Sequence, residues 1–279
     1  MGVSVFGHRG ACGYMPENTM PSFELAFELG ADAIEFDVVL TRDHVPVILH
    51  DLDLTHTTNV LDFPELATNV NELTYEQLKM LRTKERYPEG RVESAKHDGQ
   101  YQIPTLDEVL ANPKFDSKHL IIELKHGKPQ LAAGLDVVGA VKNQLASCQW
   151  RERGIKITIE CFEYGILREA KKQIAGEIDY VFLSAPDMLP EGRTSLEDDL
   201  LDEIAGDFEG LSVAIPMLFE GELVTRAKAR GLIMFAYTAR TETAQGDVES
   251  WFKKLATSGV DGLFADQPDV LIKTVASLS

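Results

Sequence analysis

The sequence has little positive charge and no long hydrophobic run. Lys and Arg total 27 against 45 Asp and Glu, which gives a formal net charge of −18. A surface this acidic repels phosphate backbones, so we expect no nucleic-acid partner. The apolar runs have the length of strands, far short of the roughly 20 residues that a membrane helix needs, so we expect no stable membrane insertion.

Cysteine is also scarce. Cys12, Cys148 and Cys161 do not show the spacing of metal ligands. An odd number of cysteines favours reduced thiols over a disulfide framework. The opening MGVSVFGHRG lacks the basic and apolar regions of a signal peptide, so we expect a cytoplasmic location, with a periplasmic one open if the chain has been trimmed. The oligomeric state is left undetermined by the sequence.

Short β-rich apolar runs alternate with amphipathic segments along the chain. The predicted strands are Val3–Phe6, Ala33–Leu40, Leu120–Leu124, Ile155–Cys161, Tyr180–Leu183, Leu211–Ile215, Leu232–Tyr237 and Gly262–Phe264. The main predicted helices are Met20–Leu29, Leu135–Leu145, Tyr164–Gln173, Leu196–Ile204, Glu222–Ala229 and Val248–Thr257. Eight strands alternating with helices in 279 residues predict an α/β protein, a single-domain (β/α)8 TIM barrel, with an open doubly wound sheet as the alternative.

One further apolar run, Pro46–Leu49, follows the strand Ala33–Leu40 too closely for a parallel crossover. We therefore expect the two runs to form an antiparallel β-hairpin. If its turn centres on Asp43–His44, Asp37 and His50 lie roughly opposite each other, about 4.8 Å from strand to strand.

Two acids interrupt the first of these runs. Glu35 and Asp37 are two residues apart and therefore point to the same face of the strand. Two unneutralised carboxylates on a buried face cost roughly several kcal/mol or more. No basic residue alternates with them, so we predict a bound divalent cation, and oxygen ligands favour Mg²⁺ or Ca²⁺ over zinc. Taken singly, such acids can also be edge residues.

Other strand ends carry polar side chains of the same kind. His8 and Arg9 follow the first strand, and Glu123 and Lys125 are two apart on the third parallel strand, where an ion pair alone could account for them. A barrel gathers its strand ends at one rim. A cation with Arg and Lys suits a phosphoryl group, and two histidines suit general acid–base catalysis. Without a Walker loop, phosphodiester cleavage is the predicted chemistry.

Six segments carry motifs that can be compared with known families. They are GHRG (Gly7–Gly10), PENT (Pro16–Thr19), GADAIEFDVVLTRDHVPVILHD (Gly30–Asp51), IPTLDEVL (Ile103–Leu110), IIELK (Ile121–Lys125) and GVDGLFADQPD (Gly259–Asp269). In this order and spacing they resemble the glycerophosphodiester phosphodiesterases. That family is similar to phosphoinositide-type phospholipase C in having a (β/α)8 barrel and a metal-assisted mechanism with two histidines.

The resemblance implies a role for each matching residue. It implies catalysis by His8 and His50, one Mg²⁺ or Ca²⁺ held by Glu35, Asp37 and Glu123, and substrate binding by Arg9, Lys125 and Tyr237, with Glu17 in support. The implied reaction is hydrolysis of a small glycerophosphodiester to sn-glycerol 3-phosphate and an alcohol. Tyr237 stands where the family usually has Trp, which makes glycerol specificity less secure.

Three other functions compete with this one. A related phosphodiesterase acting on lysophospholipid or sphingomyelin-type headgroups would need an apolar entry surface. An amidohydrolase would carry His-x-His on the first strand, where this chain has His8-Arg9-Gly10. A barrel that only binds a phosphorylated ligand would not need both histidines.

Residues 52–118 are predicted to form a small insertion subdomain within the barrel domain. Thr74–Arg82 and Thr105–Leu110 predict helices that begin with capping boxes. The polar stretch Tyr87–Gln100 predicts a mobile loop near the mouth of the site. The histidines outside the motifs, His97, His119 and His126, are expected to be surface or structural residues.

Overall fold

The computed structural model describes residues 2–174 and 176–278, and these residues form a closed barrel with one extra strand. The strands are β1 Ser4–Gly7, β2 Ala33–Leu40, β3 Pro46–Ile48, β4 His119–Leu124, β5 Lys156–Cys161, β6 Ile178–Ser184, β7 Gly210–Ala214, β8 Ile233–Ala239 and β9 Gly262–Ala265. All except β3 are parallel to their neighbours, and β1 pairs with both β9 and β2, which closes the wall. The predicted (β/α)8 barrel is confirmed.

Helices follow the strands and cover the outside of the barrel. The α-helices are α1 Met20–Glu28, α2 Tyr75–Leu78, α3 Val92–Ala95, α4 Leu106–Ala111, α5 Gly127–Ala132, α6 Val137–Ser147, α7 Tyr164–Gln173, α8 Asp198–Asp207, α9 Ile215–Leu218, α10 Leu223–Lys228, α11 Val248–Ala256 and α12 Pro268–Ala276. Short 3-10 turns lie at Val60–Asp62, Val70–Glu72, Pro113–Phe115 and Thr241–Thr243. The amphipathic stripes explain this packing, since α11 buries Trp251, Phe252 and Leu255 against the barrel.

The inside of the barrel is divided into an apolar floor and a polar upper layer. The floor contains the rings of Phe6, Phe235 and Phe264, and the Phe6 ring centroid lies 4.9 Å from that of Phe235 and 5.2 Å from that of Phe264. These edge-on rings fill the interior below the point where β1 ends. The charged side chains nearer the carboxyl ends of the strands therefore face only the upper mouth, where barrel enzymes place their sites.

The hairpin is present, but its register differs from the prediction by one residue. Val38 pairs with Ile48, and the Leu49 amide donates to the Asp37 carbonyl over 3.0 Å, so Asp37 faces Leu49 rather than His50. The turn centres on Asp43 because the Thr41 amide closes it by donating to the Val45 carbonyl over 3.1 Å. His50 follows the end of β3 and reaches the mouth from there.

Residues 52–118 pack partly around their own apolar cluster. This cluster is separate from the main core and combines hairpin residues with insertion residues: Val39, Val47, Leu49, Leu54, Val60, Val70, Leu73, Leu78, Leu81 and Ile103. Both capping boxes are present, at Thr74 and Thr105. The predicted helix Thr74–Arg82 is too long, because α2 ends at Leu78. The Arg82 amide donates to the Asn59 side chain over 2.7 Å and not to a helical carbonyl.

The stretch predicted as a mobile loop is anchored to the barrel. Residues 84–98, which we call the strap, contain helix α3. The two ends of the strap lie side by side, because the Thr83 amide donates to the Tyr101 carbonyl and the Gly99 amide donates to the Thr83 carbonyl, each over 2.9 Å. Within the strap, Arg91 and Ser94 are buried. The buried guanidinium of Arg91 and the buried hydroxyl of Ser94 hold this segment in place. Its polar composition alone predicted a mobile loop.

Among residues 2–174 and 176–278, no helix is both long enough and apolar enough to span a bilayer.

Candidate active site

Three carboxylates meet inside the upper mouth of the barrel. Glu35 and Asp37 project inward from β2, and Glu123 projects inward from β4, where it is the register partner of Asp37. All three are buried, and one ligand oxygen from each lies within 4.8 Å of the others. The structure thus brings the three predicted metal ligands within reach of one ion.

Oxygen atoms in this group lack hydrogen-bond partners. Glu35 Oε2 accepts from the Arg9 amide over 2.9 Å, and Asp37 Oδ2 accepts from the Asn18 side chain over 2.8 Å. The other oxygens of these two residues, Glu35 Oε1 and Asp37 Oδ1, are buried and have no hydrogen-bond partner among the described residues. Leaving buried acceptors unpaired is costly, and hard oxygens at this separation fit Mg²⁺ or Ca²⁺.

Two cations approach the acids, contrary to the picture drawn from the strand alone. Arg9 Nε lies 3.2 Å from Asp37 Oδ2, and Lys125 Nζ lies 2.8 Å from Glu123 Oε1 and 3.8 Å from Asp37 Oδ1. They come from the ends of neighbouring strands, so spacing within β2 could not reveal them. Glu35 has no such cation within ion-pair distance among the described residues.

A fourth carboxylate, Glu160, lies next to the three that the motifs indicated. It projects from β5 as the register partner of Glu123, is buried, and its Oε2 has no partner among the residues described. Sequence reasoning missed it, although inward-facing Thr158 and Glu160 on ITIEC repeat the two-residue spacing seen on β2. Four acids therefore face two cations, Arg9 and Lys125.

The pKa values follow from this excess of negative charge. Burial, followed by repulsion from neighbouring carboxylates, raises the pKa of Glu35 and of Glu160 well above the usual range. Burial also raises the pKa of Glu123 to about 7, against the opposing pull of Lys125. Asp37 is the exception: burial works to raise its pKa, but Arg9, His50 and Lys125 hold it below the usual range. A cation bound here would remove the repulsion.

His8 is oriented by an aspartate from the far end of the chain. Its Nδ1 lies 2.6 Å from Asp266 Oδ1, and Asp266 is fully buried. Burial works to raise the Asp266 pKa, but His8, Arg240 and Arg91 hold it below the usual range, so the carboxylate is ionised and Nδ1 donates the bond. The lone pair of the neutral ring is then on Nε2, which is free for proton transfer.

His50 is paired in the same manner with its own neighbour in sequence. Its Nδ1 lies 2.5 Å from Asp51 Oδ1, and the two side chains keep 25% and 27% of their surface exposed. Here the pKa of Asp51 is again below its usual range, because His50 and Arg86 outweigh the effect of burial. Each of the two predicted catalytic histidines thus forms a pair with an aspartate at Nδ1.

Burial favours the neutral form of both imidazoles, and a bound anion would favour the protonated form of one of them. It lowers the pKa of His8 to about 4, against the opposing effect of Asp266, and it lowers the pKa of His50, with Arg9 acting in the same direction. A neutral imidazole can accept a proton at Nε2 and return it later, which is what general acid–base catalysis requires. His126, expected to be a surface or structural residue, lines the pocket, with Nε2 3.1 Å from the His50 carbonyl.

The aspartate of each histidine pair also accepts a hydrogen bond from an arginine. Arg86 donates to Asp51 over 2.6 Å and to Glu17 over 2.8 and 3.0 Å, and Arg91 donates to Asp266. Arg9 also donates to Glu17, over 3.0 Å, and these cations hold the Glu17 pKa near 2 although burial opposes them. Sequence reasoning gave Glu17 a supporting role but missed Arg86, Arg91 and Asp266.

Both histidines and three of the acids, Glu35, Glu123 and Glu160, line one pocket of about 500 Å³. Charged groups lie on one side, and Phe162 and Tyr237 form part of another, with ring centroids 5.8 Å apart at 85°. The Tyr237 hydroxyl donates to the Ser184 carbonyl over 2.7 Å, which fixes this ring. Arg9, Lys125 and Tyr237, the residues expected at the substrate, therefore all line the pocket that contains His8 and His50.

The fold and this site together define a class of barrel enzymes whose carboxylates and histidines surround a polar pocket at the carboxyl end of the strands. A family model described as the glycerophosphoryl diester phosphodiesterase family matches residues 8–270. The chain belongs to this family, and the resemblance seen in its motifs and the predicted enzyme class are confirmed.

Individual relatives agree with the family match. A glycerophosphodiester phosphodiesterase of Bacillus altitudinis is 30% identical over 272 residues, which cover 97% of each chain. Another, from Caldanaerobacter subterraneus subsp. tengcongensis, is 30% identical over 277 residues, or 99% of this chain and 98% of that one. The crystal structure of a Silicibacter pomeroyi protein assigned to the same enzymes has a TM-score of 0.80 and 27% identity, covering 99% of this chain and 94% of that one.

Proposed function

We propose that this protein hydrolyses small glycerophosphodiesters to sn-glycerol 3-phosphate and an alcohol, with His8 and His50 as the proton-transfer pair. One observation supports this most strongly. Two histidines, each held at Nδ1 by an aspartate, line the same pocket as a carboxylate cluster that the chain's own cations do not balance. That combination suits phosphodiester chemistry, which needs both proton transfer and charge neutralisation.

Glu35, Asp37 and Glu123 would hold one Mg²⁺ or Ca²⁺ in this scheme. The oxygens of Glu35 and Asp37 that lack hydrogen-bond partners, together with the raised pKa values of Glu35 and Glu123, fit such an ion, and Glu160 lies beside them. When bound, the ion would polarise the phosphoryl oxygens and offset their charge. Arg9 and Lys125 line the pocket and would bind the same phosphoryl group through charge-assisted hydrogen bonds.

The two histidines would act in sequence. One Nε2 accepts the proton of the glycerol 2-hydroxyl as that oxygen attacks phosphorus, and the other imidazole, protonated, donates to the departing alcohol oxygen. The P–O bond to the alcohol breaks, and a cyclic phosphate and a free alcohol result. Water then opens the cyclic phosphate with the roles reversed, which returns both imidazoles to their starting states. Each proton transfer contributes roughly 10²–10⁴-fold.

Product analysis over a panel of substrates tests this proposal. Glycerol 3-phosphate release would be measured with glycerophosphocholine, glycerophosphoethanolamine, glycerophosphoinositol and lysophosphatidylcholine. We expect turnover of the water-soluble diesters, and a marked preference for lysophosphatidylcholine would instead favour a lysophospholipid enzyme. His8→Ala and His50→Ala should each lower kcat by roughly 100-fold or more, whereas exposed His56→Ala serves as the matched control. Near-normal turnover by both variants would refute the two-histidine scheme.

A further inference from the structure

The strap, residues 84–98, contacts both histidine pairs, although neither histidine lies on it. Arg86 donates through Nη1 to Asp51 Oδ2 over 2.6 Å, and Asp51 holds His50. Five residues later, Arg91 donates through Nη2 to Asp266 Oδ2, and Asp266 holds His8. One short segment thus supplies an arginine to the aspartate of each pair.

Each arginine is itself fixed on its other side. Arg86 is also bound by Glu17, and Arg91 donates through Nε to Glu242 over 2.8 Å and through Nη1 to the Cys12 carbonyl over 3.3 Å. The exposed fraction of the side chain is 15% for Arg86 and 7% for Arg91. Solvent screening of these contacts is therefore limited, and the planar guanidinium groups restrict where each carboxylate can lie.

The strap has an internal framework that keeps the two arginines at a fixed spacing. Ser94 donates to Glu85 Oε2, and the amide of Tyr87 donates to Glu85 Oε1 over 2.8 Å. The Glu85 amide in turn donates to Asp98 Oδ1 over 2.6 Å, which ties the beginning of the strap to its end. Glu85 and Ser94 are buried and contact neither histidine pair. Surface ion pairs are commonly worth little, but buried, multiply bonded ones fix geometry.

We propose that the strap positions both proton-transfer pairs, with Arg86 and Arg91 as positioning residues that act through Asp51 and Asp266. The proposal rests on the two-histidine function above. The strap couples the two pairs, since a displacement of this one segment would move both aspartates. An imidazole displaced by a fraction of an ångström from its proton-transfer geometry loses much of its catalytic effect.

Steady-state kinetics on glycerophosphocholine with added Mg²⁺ or Ca²⁺ tests the proposal. Arg86→Ala and Arg91→Ala should each lower kcat by roughly 10- to 100-fold with little change in KM, since neither residue is assigned to the substrate phosphate. Arg86→Lys and Arg91→Lys should recover part of kcat, because lysine restores the charge but not the planar fork. Folding is monitored by circular dichroism.

Glu85→Gln separates positioning by the strap from a direct effect of removing an arginine. It loosens the framework while leaving both arginines in place, and it should lower kcat without a matching rise in KM. Lys96→Ala removes only the exposed Lys96–Glu93 ion pair on the same segment and should leave kcat unchanged. If Arg91→Ala does not fold, Arg91→Lys and Glu85→Gln decide the matter.

The outcomes distinguish this inference from the proposed function. Wild-type kcat in Arg86→Ala, Arg91→Lys and Glu85→Gln, alongside inactive His8→Ala and His50→Ala, would overturn the role of the strap alone. Equal losses of kcat and of folded protein, with no recovery by lysine, would show that the arginines only stabilise the fold. Active histidine variants would instead overturn the two-histidine function.

Discussion

Two sets of carboxylates surround the pocket, and their environments are opposite. Glu35, Glu123 and Glu160 on the barrel strands have raised pKa values, and oxygens of Glu35 and Glu160 lack partners within the described chain. Asp51 and Asp266 behind the histidines are bound by arginines and have lowered pKa values. The two sets thus differ in how far the chain supplies compensating cations: among the described residues, Lys125 forms an ion pair with Glu123 but none forms with Glu35 or Glu160, whereas arginines contact both Asp51 and Asp266.

This difference indicates what each set is built for. Asp51 and Asp266 already have a histidine and an arginine as partners in the folded chain, so they contribute to stability and to histidine orientation. The strand carboxylates repel one another in the folded chain, and folding tolerates this because an added cation would relieve it. Removing a carboxylate should therefore have opposite effects on stability in the two sets.

The largest effect should come from the set that is already compensated. Asp266→Asn replaces the buried carboxylate shared by His8, Arg91 and Arg240 with a neutral amide, and it should lower the free energy of unfolding by about 3–5 kcal/mol. Urea denaturation of the EDTA-treated protein measures this. Asp202→Asn, which removes an exposed pair with Arg230, is the matched control and should cost about 1 kcal/mol or less. Equal effects of the two substitutions would contradict the account.

The opposite sign is expected on the strand side. Glu35→Gln removes a carboxyl group whose ionisation is opposed by burial and by its neighbours, so the EDTA-treated variant should be as stable as the parent protein or more stable. Its activity with added Mg²⁺ or Ca²⁺ should nevertheless fall by roughly 100-fold or more, because electrostatic stabilisation at the phosphoryl group is lost. A loss of stability as large as that of Asp266→Asn would remove the distinction between the two sets.

Asp51 sharpens the comparison within the compensated set. It also binds a histidine and an arginine, but it keeps 27% of its side-chain surface exposed, against 1% for Asp266. Water can replace part of the contacts with His50 and Arg86 that Asp51→Asn removes. The substitution should therefore lower the free energy of unfolding by about 1 kcal/mol. The same urea experiment measures it. A cost equal to that of Asp266→Asn would show that burial does not govern these ion pairs.

The smallest effect is a pH dependence of metal-induced stabilisation. In the metal-free protein the Glu123 pKa rises from 4.5 to about 7 on folding, so the folded state binds this proton more tightly. That contribution to stability is present below the unfolded value and is lost as the pH rises towards 7. A metal ion competes with the proton and should bind more strongly at high pH.

Thermal unfolding with and without Ca²⁺ or Mg²⁺ measures this effect. The increase in Tm on adding the ion should be larger near pH 8 than near pH 5.5, by roughly 2–4 °C for each kcal/mol of difference. Glu123→Gln should reduce the difference between the two pH values. An increase in Tm that is independent of pH, or larger at low pH, would argue against carboxylate ligation.

Much of the barrel could be predicted because its signals are local. Alternation of apolar runs and amphipathic segments placed the strands, and the two-residue spacing of Glu35 and Asp37 placed their side chains on one face. Local rules also predicted the caps at Thr74 and Thr105. They failed for the length of the helix after Thr74, where a tertiary hydrogen bond to Asn59 replaces the next helical turn.

The supporting parts of the site could not be read from the sequence because their contacts are distant. The partner of His8 lies 258 residues away, and Arg91 is 175 residues from the aspartate that it binds. The strap looks like a polar loop because the burial of Arg91 and Glu85, and the partial burial of Arg86, come from the fold and not from any periodic pattern. The proposed metal ligands could be identified from motifs, but Glu160 was hidden within an ordinary strand pattern.

The most direct test of the central claim is the metal dependence of glycerol 3-phosphate release. Protein treated with EDTA and freed of the chelator would be titrated with Mg²⁺ or Ca²⁺ while bound metal and turnover of glycerophosphocholine are measured together. We expect turnover to be lost on metal removal and to return in proportion to one ion bound per chain, with Glu35→Gln failing to recover. Full turnover in protein shown to contain no metal would contradict the account.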